Sequence, residues 1–265
     1  MSTRIRLDAE LVRRGLARSR EQAAELIGEG RVTVGGLTAG KPATQVARDA
    51  AITVRAAAGA QYVSRGGRKL AGALAAFGGP AVAGRRCLDA GASTGGFTDV
   101  LLRAGAGHVI AVDVGYGQLA WALRGDPRVT VLERVNVREL RPEQVAPPPG
   151  LVVADLSFIS LATPLPALVR CAAPDADFVL LVKPQFEVGK GRVGPGGVVR
   201  EPGLRAEAVS GIARAAAGHG LGVAGVTASP LPGPAGNVEY FLWLHRGAPP
   251  LDGGALEQAI ADGPQ

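Results

Sequence analysis

Four ionisable residues in this 265-residue sequence stand at the ends of segments, where a reactive group can be held: Lys69, Asp155, Lys183 and Glu239. Asp155 closes the apolar run Leu151-Val-Val-Ala154, and Lys183 closes Phe178-Val-Leu-Leu-Val182. Ligands of an open parallel sheet bind outside the carboxyl ends of its strands, so these two side chains are expected there, close together. A charge directly after an apolar run is an awkward place for a purely structural role. The three histidines, His108, His219 and His245, are scattered, and Cys87 and Cys171 sit in apolar contexts. Neither a metal site nor a histidine-based triad has the raw material, and the cysteines read as buried thiols. Catalysis must come from Lys, Asp and Glu.

A second constellation is the loop Asp89-Ala-Gly-Ala-Ser-Thr-Gly-Gly96, which follows a strand and opens a helix at about Phe97. Its glycines allow a sharp turn and let a ligand approach main-chain N–H groups at a helix N-terminus. A nucleotide-bearing cofactor fits. Asp113 ends the next strand 22 residues after Gly91, where a carboxylate can accept hydrogen bonds from ribose hydroxyls. Asn136, after the third strand, is placed to border the base. A dinucleotide-binding fold shares this geometry, so the loop alone leaves NAD open. Ser93, however, stands where the fingerprint G-x-G-x-x-G has its second glycine, and a cofactor without pyrophosphate is easier to seat.

The elements that position these groups alternate after Gly84. Cys87–Ala90, His108–Asp113, Val129–Leu132, Leu151–Asp155 and Phe178–Val182 are strand-like runs with helical candidates between them. Near-continuous apolar strands of this kind belong to a parallel sheet covered on both faces, a doubly wound α/β fold. Gly222–Ala228 and Val238–Leu244, joined by a Pro/Gly-rich stretch, are expected to form a closing hairpin. Ahead of the alternation the pattern is different. Asp8 is expected to cap a helix through Leu11, Val12 and Leu16. Ser19 has the spacing of a capping box for a second helix, which Gly28 and Gly30 stop. Arg31–Val34 and Ile52–Val54 read as short strands around a Gly35–Gly36 turn, and Ala56–Ala60 reads as a linker.

Charge is unevenly spread along the chain. The net charge is +6, yet residues 1–70 hold 13 Lys+Arg against 6 Asp+Glu, and the rest hold 16 against 17. An Arg excess confined to one end points to a polyanion partner, because phosphates bind cations with release of counterions. The mean hydropathy is +0.18. No apolar stretch is long enough to span a bilayer, and no apolar run follows the early positive charge, so neither membrane insertion nor secretion by a signal peptide is expected.

The stretch Leu11–Ala23 and the segment Gly30–Val34 resemble the S-four-type RNA-binding module, in which a helix pair presents basic side chains to structured RNA. By position, Arg4, Arg6, Arg18, Arg20 and Lys41 are its candidates for phosphate contact. From about Arg4 to Leu244 the chain resembles the TlyA family of ribosomal RNA 2'-O-methyltransferases, also labelled haemolysins, whose catalytic domain is similar to FtsJ-type enzymes. The most specific stretches are Tyr62–Leu70, Leu88–Thr98, Asp113–Leu119, Asp155–Ser160, Lys183–Lys190 and Gly236–Tyr240. The resemblance implies a Rossmann-like methyltransferase domain with a mostly parallel seven-stranded sheet over residues 65–265, a linker at 59–64 and the RNA-binding domain at 1–58. It implies S-adenosylmethionine as cofactor, held by Gly91, Ser93, Gly95, Gly96, Phe97, Asp113, Asn136 and Asp155. It also implies a Lys-Asp-Lys-Glu tetrad on Lys69, Asp155, Lys183 and Glu239.

A ribose 2'-hydroxyl is a poor nucleophile, so methyl transfer needs alignment and removal of a proton as the new bond forms. Lys183 is the expected base. The implied substrate is cytidine ribose in ribosomal RNA of the small subunit, the large subunit or both, with Arg65 and Arg68 added to the RNA contacts. The segment Met1–Asp8 resembles the extended N-terminus of members that act on both. A cytoplasmic enzyme is expected, with no membrane or protein partner inferred. Two other classes compete: a membrane-active haemolysin, and a ribosome-binding module without turnover.

Overall fold

The computed structural model describes residues 4–17, 20–28, 30–55 and 62–264. The chain divides into two compact units, residues 1–61 and 62–265. The first contains β1 (Arg4–Arg6), α1 (Leu7–Arg13), α2 (Arg20–Gly28), β2 (Val32–Val34), β3 (Leu37–Thr38), β4 (Gln45–Ala47) and β5 (Ile52–Val54). Leu7, Leu11, Leu26 and Ile27 from the two helices close a small core over Val32 and Val46. β1 pairs with β4, and β2 lies between β3 and β5. Gly35 and Gly36 have φ of +56° and +83°. Two left-handed residues in succession are what a two-residue hairpin turn requires, and Val34 pairs with Leu37 across it.

Two local expectations change here. The first helix starts at Leu7, not after a cap at Asp8, and it ends at Arg13. Asp8 is buried within the first turn, where its carboxylate accepts from Ala9 N–H at 2.8 Å and from two arginines. Charged partners hold that carboxylate more strongly than a cap would. The expected capping residue Ser19 and the linker residues 59–61 lie outside the described residues.

The second unit carries α3 (Arg65–Phe77), β6 (Arg86–Ala90), α4 (Gly96–Arg103), β7 (His108–Asp113), α5 (Trp121–Arg124), β8 (Val129–Glu133), α6 (Pro142–Val145) and β9 (Leu151–Ala154). It continues with α7 (Leu165–Cys171), β10 (Asp177–Val182), α8 (Pro184–Glu187), α9 (Pro202–Ala217), β11 (Leu221–Ala228), β12 (Tyr240–Arg246) and α10 (Gly253–Ala261). The seven strands run in the order β11-β12-β10-β9-β6-β7-β8. β8 to β10 are parallel through the middle, and β12 pairs antiparallel with both β10 and β11 as the expected hairpin.

Alternation along each strand builds two cores. Val179 and Leu181 of β10 join Leu70 and Ala73 of α3 and Val100 and Leu101 of α4 on one face. Phe178, Leu180 and Val182 join Leu165 and Leu168 of α7 and Val209 and Ile212 of α9 on the other. Both faces are covered, as the continuous apolar runs require. Tyr62–Ser64, expected in the linker, belong to this unit: Val63 N–H donates to Asp99 at 2.9 Å, and Tyr62 packs against Gly67. Both cysteines are buried, and burial pushes the Cys87 thiol up to about 12.

Candidate active site

The loop between β6 and α4 lies at the carboxyl edge of the sheet. Gly91 has φ of +85°, and a Cβ there would stand 2.5 Å from the Asp155 carbonyl oxygen. Only glycine serves where the backbone turns left-handed against another main chain. Gly95, at φ +96°, is the residue that caps α4, and a Cβ on it would overlap Leu119 and Leu123. Asp113, at the end of β7, accepts Ser93 N–H on one carboxylate oxygen (2.8 Å) and Gly115 N–H on the other (2.7 Å). Its orientation is therefore fixed, while a carboxylate keeps further lone pairs for a ligand. Ser93 N–H is spent on Asp113 and is not free for a pyrophosphate.

A cavity of about 360 Å³ opens beside this loop, walled by Gly91, Ser93, Asp113, Asn136, Asp155 and Phe158. Val114, Leu156 and Ile159 add apolar surface. The Asn136 carboxamide oxygen accepts Arg138 N–H at 3.1 Å, which leaves its amide hydrogens as donors. An oriented carboxylate for ribose hydroxyls, an amide for a base edge and apolar walls for a flat ring are the donor set a nucleoside needs. The residues fit S-adenosylmethionine. Gly95, Gly96 and Phe97 are not on the cavity wall. Gly96 packs against Ser64 and Gly67, and Phe97 is buried in the core with its ring 6.0 Å from Phe241. Beneath the loop, Asp89 is fully buried; Thr98 donates to one oxygen at 2.7 Å, and the other has no hydrogen-bond partner among the described residues. Burial pushes this carboxyl up to about 7.

Strand pairing brings three of the four ionisable residues to one edge. Val182 pairs with Tyr240 and Leu180 with Ala154, so Lys183, Glu239 and Asp155 all lie just past the last paired residues of adjacent strands. Pro184 opens α8 immediately after Lys183 and turns the chain away. Lys183 Nζ lies 2.6 Å from Asp155 Oδ1 and donates to Ser157 Oγ at 2.8 Å. Lys69, on the buried face of α3, lies 2.5 Å from Glu239 Oε2. The other Glu239 oxygen is crowded by Gly233, where a Cβ would come within 2.5 Å of it. The tetrad is thus two ion pairs, Lys69–Glu239 buried and Lys183–Asp155 open on the Asp155 side to the cavity.

Three residues here carried no signal of their own. Ser157 completes the support of Lys183; in the sequence it stood out only as part of the stretch Asp155–Ser160. Glu187 accepts Ser160 Oγ–H at 2.5 Å and Leu161 N–H at 2.9 Å, tying the loop after β9 to α8; burial raises its carboxyl. Phe158 has φ of +65°, is 92% exposed, and stands 5.4 Å from the Phe186 ring. A bulky residue held left-handed is strained, and here its ring also stands out in water.

The basic candidates are placed unevenly. In the first unit Arg6 and Arg20 both pair with Asp8, and Arg4 and Lys41 are exposed. Arg18 lies outside the described residues. In the second unit Arg68 is exposed on α3, whereas Arg65 is half-buried and donates to the Pro232 carbonyl. Among the described residues no helix is long and apolar enough to cross a membrane.

Residues 62–246 match the FtsJ-like methyltransferase family, and residues 5–52 match the S4 domain. The chain is 64% identical to the 16S/23S rRNA (cytidine-2'-O)-methyltransferase TlyA of Mycobacterium tuberculosis, over 100% of both chains. It is 37% identical to Hemolysin A of Brachyspira hyodysenteriae, over 89% of this chain and 98% of that one. A solved structure from Streptococcus thermophilus that carries the hemolysin name superposes with a TM-score of 0.78 at 36% identity, covering 98% of this chain and 96% of the other. With the sheet order, the nucleoside cavity and the two ion pairs in place, this chain belongs to the TlyA family of FtsJ-like, S-adenosylmethionine-dependent methyltransferases, with an S4 domain ahead of the catalytic one.

Proposed function

We propose that the protein methylates the ribose 2'-hydroxyl of cytidine in ribosomal RNA of both subunits, in the cytoplasm, with Lys183 as general base. The observation that carries this reading is the amine of Lys183, held by Asp155 and Ser157 where Asp155 also walls the cavity. S-adenosylmethionine, when bound, supplies a methyl group on a sulfonium. Asp113 and Asn136 hold the nucleoside end, and Gly91 lets the chain pass close beneath it. Lys183, having first released the proton it holds in the pair with Asp155, would take the 2'-hydroxyl proton as the ribose oxygen accepts the methyl group and the S–CH3 bond pair stays with the departing sulfur. Asp155 and Ser157 fix the direction of that amine, and the Lys69–Glu239 pair holds α3 against the start of β12. Phe158 offers an exposed ring on which the target base can stack. The relative named for both 16S and 23S rRNA supports two subunits as substrates, and the basic face of the first unit supports RNA as the partner.

The test is transfer of labelled methyl to purified small and large subunits, with mass spectrometry to place the product. Lys183→Ala is expected to bind S-adenosylmethionine normally by calorimetry and to lose about 10²- to 10⁴-fold in transfer, the usual contribution of a positioned base. Transfer at the wild-type rate removes Lys183 from that role. Methyl groups on bases, or on neither RNA, overturn the substrate.

A further inference from the structure

We propose that Arg6 and Arg20 form a single RNA phosphodiester subsite whose geometry is set by the buried carboxylate of Asp8. This rests on the proposed RNA-binding role of the first unit and adds a positioning residue of opposite charge to it. Asp8 Oδ1 accepts Arg6 Nε–H at 3.1 Å and Ala9 N–H at 2.8 Å. Asp8 Oδ2 accepts Arg6 Nη2–H and Arg20 Nη2–H, each at 2.9 Å, with Arg20 Nε at 3.3 Å. One carboxylate thereby holds two guanidiniums, from the end of β1 and the start of α2, that would otherwise repel each other.

Exposure separates the three groups. The Asp8 side chain is 5% exposed, against 44% for Arg6 and 59% for Arg20. Each guanidinium commits Nε and Nη2 to the carboxylate and keeps Nη1 and an outer Nη2 hydrogen. Two such outer edges side by side suit the paired oxygens of a phosphodiester. The Arg6 guanidinium, with Arg20, holds the Asp8 carboxyl well below the usual range, so it stays ionised.

The neighbouring cluster on α1 shows what a structural version looks like. Glu10 pairs with Arg13 and Arg14, but Arg14 spends its remaining groups on the Ala50 and Arg48 carbonyls at 2.8 and 2.7 Å. That arginine is a strut. Among the described residues, Arg6 and Arg20 make no such contact to main chain. Two further cations border the subsite. Arg4 shares the exposed face of β1 with Arg6, and Leu7 and Asp8 N–H groups donate to Thr44 and Pro42 at 2.8 and 3.0 Å, which brings the Lys41 turn alongside.

The proposal makes a prediction opposite in sign to simple electrostatics. Asp8→Asn removes a negative charge from a surface that binds a polyanion, so charge alone predicts tighter binding; positioning predicts weaker. With a salt slope of about 0.7 to 0.9 per phosphate contact, each contact is worth roughly 5- to 8-fold at 0.1 M salt. Binding of the full-length protein to deproteinised ribosomal RNA is measured against KCl concentration. Asp8→Asn is expected to weaken binding by about 5-fold or more and to lower the salt slope by about one contact. It is expected to add nothing on an Arg6→Ala/Arg20→Ala background, and Asp8→Glu is expected to recover part of the loss. Arg20→Lys keeps the charge without the fork and needs no change at Asp8; it too is expected to bind several-fold more weakly. Equal or tighter binding by Asp8→Asn, an equal loss on the double-Arg background, or full binding by Arg20→Lys overturns the proposal. Unchanged binding by the double-Arg variant instead overturns the RNA reading of the first unit.

Discussion

Replacing Glu239 by Gln tests whether the Lys69–Glu239 pair is a buried, mutually dependent unit. The two groups meet at 2.5 Å with side-chain exposures of 6% and 1%, joining residues 170 positions apart. Removing one partner of a buried pair strands the other charge and costs about 3–5 kcal/mol. Gln keeps a carbonyl acceptor for the lysine, so the lower end, about 3 kcal/mol, is expected. For a unit of this size each kcal/mol moves Tm by about 2–4 °C, which gives a fall of roughly 6–12 °C by calorimetry. Adding Lys69→Met removes the stranded cation and is expected to restore part of that loss, because the neutral amide left at position 239 costs less unpaired than a buried cation does. Methyl transfer is expected to fall in the single variant and not to recover in the double. A Tm within about 2 °C of the parent for Glu239→Gln, or a double variant less stable than the single, refutes the reasoning.

Phe158→Ala removes an exposed ring, so stability is expected to hold while kcat/KM on ribosomal subunits falls by about 5- to 150-fold, the range of base–aromatic stacking at 1–3 kcal/mol. Activity within two-fold of the parent would deny the ring a role in holding the base. Asp89 predicts a pH dependence of stability. Its folded carboxyl keeps a proton up to about 7, against an ordinary value of 3.8. Folding therefore takes up a proton between these limits, and the Asp89 contribution to stability falls as pH rises from about 4 to 7. Asp89→Asn is expected to flatten the profile across this window in denaturant titrations without cofactor; parallel profiles for parent and variant would show that Asp89 is already ionised.

Much of the second unit was legible in the sequence, because a strand buried on both faces must be apolar throughout and its end is marked by the first charge. His108–Asp113 has the expected boundaries, and Asp113 and Asp155 stand at strand ends beside the cavity. The first unit was less legible. β1 and β4 are three residues each, too short for an alternation to show, and Asp8 looked like a cap because one of its two arginine partners, Arg20, lies in the next helix. Phe97, the first apolar residue after the glycine loop, faces the core because α4 turns it inward from the cavity.

The sequence by itself determined the residue types and their order, and the stretches they form carried the resemblance to the TlyA family. Tertiary structure alone decided that the tetrad is two pairs, Lys183 with Asp155 and Lys69 with Glu239. The partners in each pair come from different elements, and no local rule states which lysine meets which carboxylate. The same holds for Asp8 and Arg20: a carboxylate's partner is set by which side chains the packed core brings within hydrogen-bond reach, and that distance exists only once the chain has folded.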